Sequence, residues 1–196
     1  ASEETTRLTG EMGLGALVGS EGGPEKVAEV LELYNKTVKA STHEGIHVNH
    51  QNALMTAGYC HESSKVVEER GTELVAWYLN QQRERARLVW RGVDPASVPP
   101  DYQGYYERDQ HLAAGPHPGD PTPADVVRQG TKFCVGTPDD CIKFYESYEA
   151  MGVEQVFLLS AIGPAANEEV MNTIRLFGKY VIPHFKEKEK AQAAVV

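Results

Sequence analysis

The chain has 196 residues, 41% of them hydrophobic, with a formal net charge of -9. That suffices for one domain with a sizeable core, but it is short of the roughly 250 residues of a complete eight-stranded β/α barrel. The acidic balance argues against nucleic acid or anionic membrane as a partner, because both need clustered Lys and Arg.

Ser2 followed by Glu3 and Glu4 reads as an N-cap with acids in the first helical turn, and the helix should run to Gly13. Leu14–Val18 is expected to be a short buried strand. Gly22-Gly23-Pro24 then starts a helix to about Ala40, with Val27, Val30, Leu31 and Tyr34 on one face. The segment from Ile46 to Tyr59 should hold a strand near Asn52–Ala57. Ser63 or Ser64 caps a long helix to about Trp90. From Arg91 to Gly130 the chain turns to Pro, Gly, Asp and Tyr without periodicity, which predicts an irregular lid with a short helix near Tyr105–Leu112. Thr137-Pro138-Asp139-Asp140 is the clearest helix start in the chain. Val156–Leu159 is an unbroken apolar run, as in a parallel strand covered on both faces. A last helix from Ala166 or Asn167 should turn Val170, Ile174, Phe177 and Val181 inward. The βα alternation predicts about three parallel strands in an α/β fold.

Ser2, Thr5 and Thr6 sit at the mouth of the first helix, where free amides and the helix dipole favour an anion and hydroxyls can donate to phosphate oxygens. An ordinary N-cap is the competing reading. His43, His47, His50 and His61 lack the Cys or carboxylate pattern of a metal centre, so no metal is expected. Cys60, Cys134 and Cys141 form no CxxC and leave an odd thiol under any pairing, which suits buried thiols in a reducing, cytoplasmic compartment. No run reaches the roughly 20 apolar residues of a membrane span. Trp90, Tyr102, Tyr105 and Tyr106 could cover a ring ligand or pin the lid; Asp101, Glu107, Arg108 and Asp109 read as solvated loop charges.

The order of these motifs resembles the bacterial luciferase-like, flavin-dependent monooxygenases: Ser-x-x-Thr at Ser2 and Thr5, Gly13-Leu14, Glu32 to Asn35, Val135-Gly136-Thr137-Pro138 and the Pro183-His184-Phe185 ending. The resemblance implies the C-terminal part of a TIM-like (β/α)8 barrel, with the lid insertion at about 91–130 and further sequence before residue 1. It also implies that Ser2 and Thr5, with Thr6 beside them, hold the phosphate of FMN. Reduced flavin would come from a separate flavin reductase, and oxygen with a small organic substrate would complete the reaction, in a homo- or heterodimer. The family's catalytic histidine would lie outside this sequence. A deazaflavin-dependent oxidoreductase and a non-catalytic flavin-binding member are the alternatives.

Overall fold

The computed structural model describes residues 2–43 and 47–193, with side chains to Ala191; Ala1 of the expected phosphate loop and Ile46 lie outside the described residues. The parallel strands are β1 (Ala16–Gly19), β2 (Asn52–Cys60), β3 (Cys134–Gly136) and β4 (Gln155–Leu159). The helices are α1 (Glu3–Glu11), α2 (Pro24–Ala40), α3 (Ser64–Val66), α4 (Thr72–Val89), α5 (Gln103–Ala114), α6 (Pro123–Gln129), α7 (Pro138–Glu149), α8 (Asn167–Leu176) and α9 (Ile182–Ala193). Two π-helical turns, Val67–Gly71 and Phe177–Val181, join α3 to α4 and α8 to α9.

β2 organises the sheet. It pairs with β1 from Ala16↔Asn52 to Gly19↔Met55, with β4 from Ala53↔Gln155 to Ala57↔Leu159, and with β3 from Gly58↔Cys134 to Cys60↔Gly136. Gln51 accepts from the Ala16 amide and the His61 amide donates to Gly136, so β1 and β3 share the edge served by the odd-numbered residues, and β4 takes the other. Right-handed crossovers then require α4 on the face opposite α2 and α7. The packing agrees. Val18, Leu54, Cys60 and Cys134 join α2, α7 and the Phe177–Val181 turn in one core, whereas Ala57, Tyr59 and Val135 join Leu74, Val75, Val126 and Ile162 in another.

The sheet is therefore open and wound on both faces, and the expected barrel does not close among the described residues. A barrel wall would place β3 between β2 and β4. Here β3, with three residues, is too short to hold β4, which pairs along the longer β2. β3 is a fourth strand beyond the three that the sequence predicts. Gly58 permits the crowding at this junction, because a Cβ there would meet the Leu158 side chain and, at 2.9 Å, the Cys134 carbonyl.

Two other expectations are corrected. Val156, Phe157 and Leu159 are exposed instead of covered on both faces, because β4 pairs only with β2 and forms an edge of the sheet among the described residues. Ile174 is also exposed, while Thr173 and Leu176 are buried; the π turn inserts a residue and shifts the helical phase.

The segment 91–130 is more regular than composition predicts, since it contains α5 and α6, the latter with a Thr122/Asp125 capping box. Asp109 anchors it to α4. This carboxylate is only 2% exposed and takes the Trp90 indole Nε1–H at 3.0 Å and the Arg108 guanidinium at 2.7 Å, with Arg85 at 3.5 Å. Trp90 packs edge-on against Tyr106 at 5.2 Å. Trp90 and Tyr106 thus pin this segment to the end of α4, and Asp109 is not a solvated loop charge.

Burial raises the Asp109 pKa, but Arg108, Trp90 and Arg85 together outweigh it and leave the group below its ordinary value. The stability it adds is present above the unfolded pKa near 4 and is lost as pH falls through the lower folded value. Asp109→Asn should cost about 1–2 kcal/mol at neutral pH, with the half-exposed arginines limiting the loss. In acid denaturation the variant should lose less stability than the parent as pH falls below about 4. Limited proteolysis should cut first at 115–122, the exposed stretch between α5 and α6, and cleavage first within α4 would contradict this packing.

Candidate functional site at the C-terminal rim of the sheet

α1 runs back along β1, so its N-terminus lies at the end of the sheet where the strands finish. Glu3 and Thr6 line a groove with Lys26 and Glu29 of the first two turns of α2, which starts just beyond β1. Ser2 is extended, and its Oγ accepts from the Thr5 amide at 3.1 Å. Ser2 Oγ and Thr5 Oγ1 are 2.8 Å apart and exposed, one hydroxyl donating to the other, which leaves one hydroxyl proton facing solvent at the N-terminus of α1. Thr6 turns away: it is buried and donates its hydroxyl to the Ser2 carbonyl at 2.9 Å. The exposed donors suit a phosphate, while Glu3 and Glu4 must keep their side chains in solvent for an anion to settle.

Beside this loop, the residues leaving β1 build a feature that no spacing pattern announced. Ser20 points into the core, donating its hydroxyl to Lys132 O at 2.6 Å, with the Thr56 hydroxyl bonded to its oxygen at 2.9 Å. Glu21 folds its carboxylate back over Gly19, so close that a Cβ there would overlap Oε2. Tyr78 of α4 donates its hydroxyl to Glu21 Oε1 at 2.7 Å and packs edge-on against Phe133. Burial first, then the Glu21 carboxylate, pushes the Tyr78 phenol up to about 12.

Gly19 shares its sheet face with its lateral partners Met55 and Phe157, with Leu17 one row before them and Leu159 one row beyond. These side chains are uncovered, with Leu17 54%, Met55 38%, Phe157 56% and Leu159 43% exposed. An apolar floor with a carboxylate at its rim is the result.

The loop after β4 is clamped at the same rim. Arg70, in the first π turn, holds Glu169 through Nε at 2.8 Å and Nη2 at 3.0 Å, and also reaches the Pro164 carbonyl at 2.9 Å. That guanidinium, with the Ala166 amide, draws the Glu169 carboxyl below its usual range. Trp77 lies flat against Gly163, whose positive φ of 49° and missing Cβ allow the approach. This clamp joins residues 99 positions apart and had no sequence signal.

The other candidates resolve simply. Among the described residues no three His, Cys, Asp or Glu side chains are placed to hold a metal. His47 and His50 are exposed, and His61 Nδ1 accepts from the Ser63 amide at 3.0 Å. Cys60, Cys134 and Cys141 are free and buried, the last within hydrogen-bonding reach of the other two. Hydrogen bonding to Cys141 and burial raise the Cys60 pKa; hydrogen bonding to Cys134 and burial raise that of Cys141. A groove of about 590 Å³ runs along β4 past Val156, Phe177, Ile182 and Phe185, away from Ser2 and Thr5. Among the described residues no helix is long and apolar enough to cross a membrane.

No protein-family model matches this sequence, and no curated protein matches it. The fold, however, is that of known flavin and deazaflavin enzymes. The chain is similar to the monooxygenase RslO1 from Streptomyces bottropensis, with a TM-score of 0.59 and 21% identity over 94% of this chain and 46% of that one. The oxygenating constituent of 3,6-diketocamphane monooxygenase from Pseudomonas putida, a type II Baeyer-Villiger monooxygenase in complex with FMN, gives 0.58 and 21% over 91% and 44%. The coenzyme F420-dependent tetrahydromethanopterin reductase from Methanopyrus kandleri gives 0.54 and 20% over 94% and 49%. This chain spans about half the length of each. The luciferase-like α/β fold expected from the motif order is thus the fold observed.

The thiol cluster is testable without a ligand. None of Cys60, Cys134 and Cys141 should react with Ellman's reagent in the native protein near pH 8, and three thiols should appear on unfolding in guanidinium. Rapid native labelling would contradict their packing.

Proposed function

We propose that this protein works as a flavin-dependent oxidoreductase of the luciferase-like kind, a monooxygenase that takes reduced FMN from a separate flavin reductase and uses oxygen on a small organic substrate. The observation that carries the reading is the Ser2–Thr5 hydroxyl pair, poised over free helix amides at the rim where the strands end. Reduced flavin, when bound, supplies the electrons for oxygen chemistry. The chain's part is to hold the phosphate through Ser2, Thr5 and the α1 amides, and to present an apolar floor that keeps water from the ring. Thr6, being buried, acts by fixing the Ser2 carbonyl.

Among the described residues β4 has no strand on its outer edge and the sheet face is uncovered, which supports a fold completed by further strands, with this chain as the C-terminal part of a barrel. Exposed Met171, Ile174 and Ile182 on α8 and α9 support association with a second subunit. A deazaflavin is the second reading, favoured by the likeness to the reductase from Methanopyrus kandleri.

Replacing both Ser2 and Thr5 with Ala tests the proposal. Each charge-assisted hydrogen bond contributes about 1.5–3 kcal/mol, so FMN binding should weaken by roughly two orders of magnitude or more. Riboflavin, which lacks the phosphate, should bind the variant as it binds the parent. Equal FMN affinity in parent and variant would leave the pair as a plain N-cap.

A further inference from the structure

We propose that Glu21, held in place by Tyr78, is a binding residue for the ring portion of the ligand, accepting a hydrogen bond from a ring N–H while the ring rests on the row formed by Gly19, Met55 and Phe157. The inference rests on the flavin reading above and adds a residue to the same site.

Three observations converge on it. Glu21 Oε1 is occupied by the Tyr78 hydroxyl at 2.7 Å, and Oε2 is the oxygen that lies over Gly19, on the uncovered side of the sheet. The neighbours of Gly19 along that row are Met55 and Phe157, both exposed and apolar, which suits a flat aromatic ligand and gives it sulfur and ring contacts. The phosphate loop stands at the same end of the sheet, since Glu3 and Thr6 of α1 meet Lys26 and Glu29 just after Glu21. A ligand with an anionic tail, a planar apolar body and an N–H donor at the edge of that body meets all three. Isoalloxazine has such a donor at N3.

The fixed position of the carboxylate has a physical source. Tyr78 is clamped between Phe133 and the strand ends, so its hydroxyl cannot follow Glu21 into solvent, and the carboxylate is kept to one orientation. The raised Tyr78 pKa reports the same contact from the phenol side. Tyr78 is accordingly a positioning residue. A purely structural Glu21–Tyr78 bond would have no reason to lie over the one residue of β1 that lacks a side chain.

Flavin fluorescence titrations of the protein with FMN, riboflavin and 3-methylriboflavin test the inference. The parent should bind riboflavin roughly tenfold or more tightly than 3-methylriboflavin, whose N3 carries no proton. Glu21→Gln should weaken FMN and riboflavin alike by about the same factor and leave 3-methylriboflavin little changed, which separates it from the Ser2 and Thr5 change that spares riboflavin. Tyr78→Phe should narrow the gap between the two riboflavins in the same direction, a result that general loosening of α4 would not give. Equal binding of the two riboflavins by the parent overturns the inference whatever the variants do. If FMN binding depends on Ser2 and Thr5 but not on Glu21, only this inference falls; if the parent binds no flavin, the functional reading falls with it.

Discussion

The structure depends on three polar positions along β2, each of which ties the central strand to a different part of the chain. At its start the Asn52 side chain donates to Gly152 O at 2.9 Å and accepts from the Glu154 amide at 3.1 Å, which sets where β4 begins. In the middle the buried Thr56 hydroxyl bonds to the Ser20 hydroxyl and so fixes the exit of β1. At its end the Cys60 amide donates to Thr173 Oγ1 at 3.1 Å and brings in α8. Buried polar groups are costly unless paired, so these contacts make one register of the sheet far better than its neighbours. Hydrophobic burial on both faces stabilises the sheet; these bonds decide how it is arranged.

That arrangement also decides where chemistry can occur. Fixing Ser20 inward forces Glu21 to turn outward over Gly19, and fixing the start of β4 places Phe157 beside Met55. The Arg70–Glu169 clamp holds the loop after β4 at the same rim, and α1 brings the hydroxyl pair alongside. A rim of polar groups over an apolar sheet face follows from register alone. Parallel α/β folds place ligands at this end because helix N-termini and strand ends meet there.

Much of this was legible in the sequence where one short-range cause dominates. Pro24 at the first helical position and Ala40 bound α2 as expected, and Thr137 with Asp140 forms the predicted cap with its reciprocal bonds. The strand at Asn52 was found, though it runs on to Cys60. What failed depended on distant partners. β3 is too short to show periodicity, and only pairing with Gly58–Cys60 makes it a strand. The phase of α8 shifts at a π turn that leaves no residue signature, which is why Ile174 was placed inside. Asp109 looked like a loop charge because its partner Trp90 lies on another helix. For the site, Ser2 and Thr5 were visible as a cap, whereas the burial of Thr6 depends on packing against α2 and has no local signal. Glu21 and Tyr78 are 57 residues apart and had no local pattern to connect them.

The central claim is that the uncovered face around Gly19, Met55 and Phe157 is the one that receives the ligand. The chain has four methionines, of which Met55 alone lies on that face, while Met171 sits on α8 and Met12 and Met151 follow α1 and α7. Methyl spectra of protein labelled with 13C at methionine, recorded as FMN is added, read that face directly. The account predicts a ring-current shift of the Met55 methyl that saturates with FMN, with the Met171 signal unmoved. A saturating shift at Met171 with Met55 unchanged would place the ligand elsewhere and contradict it.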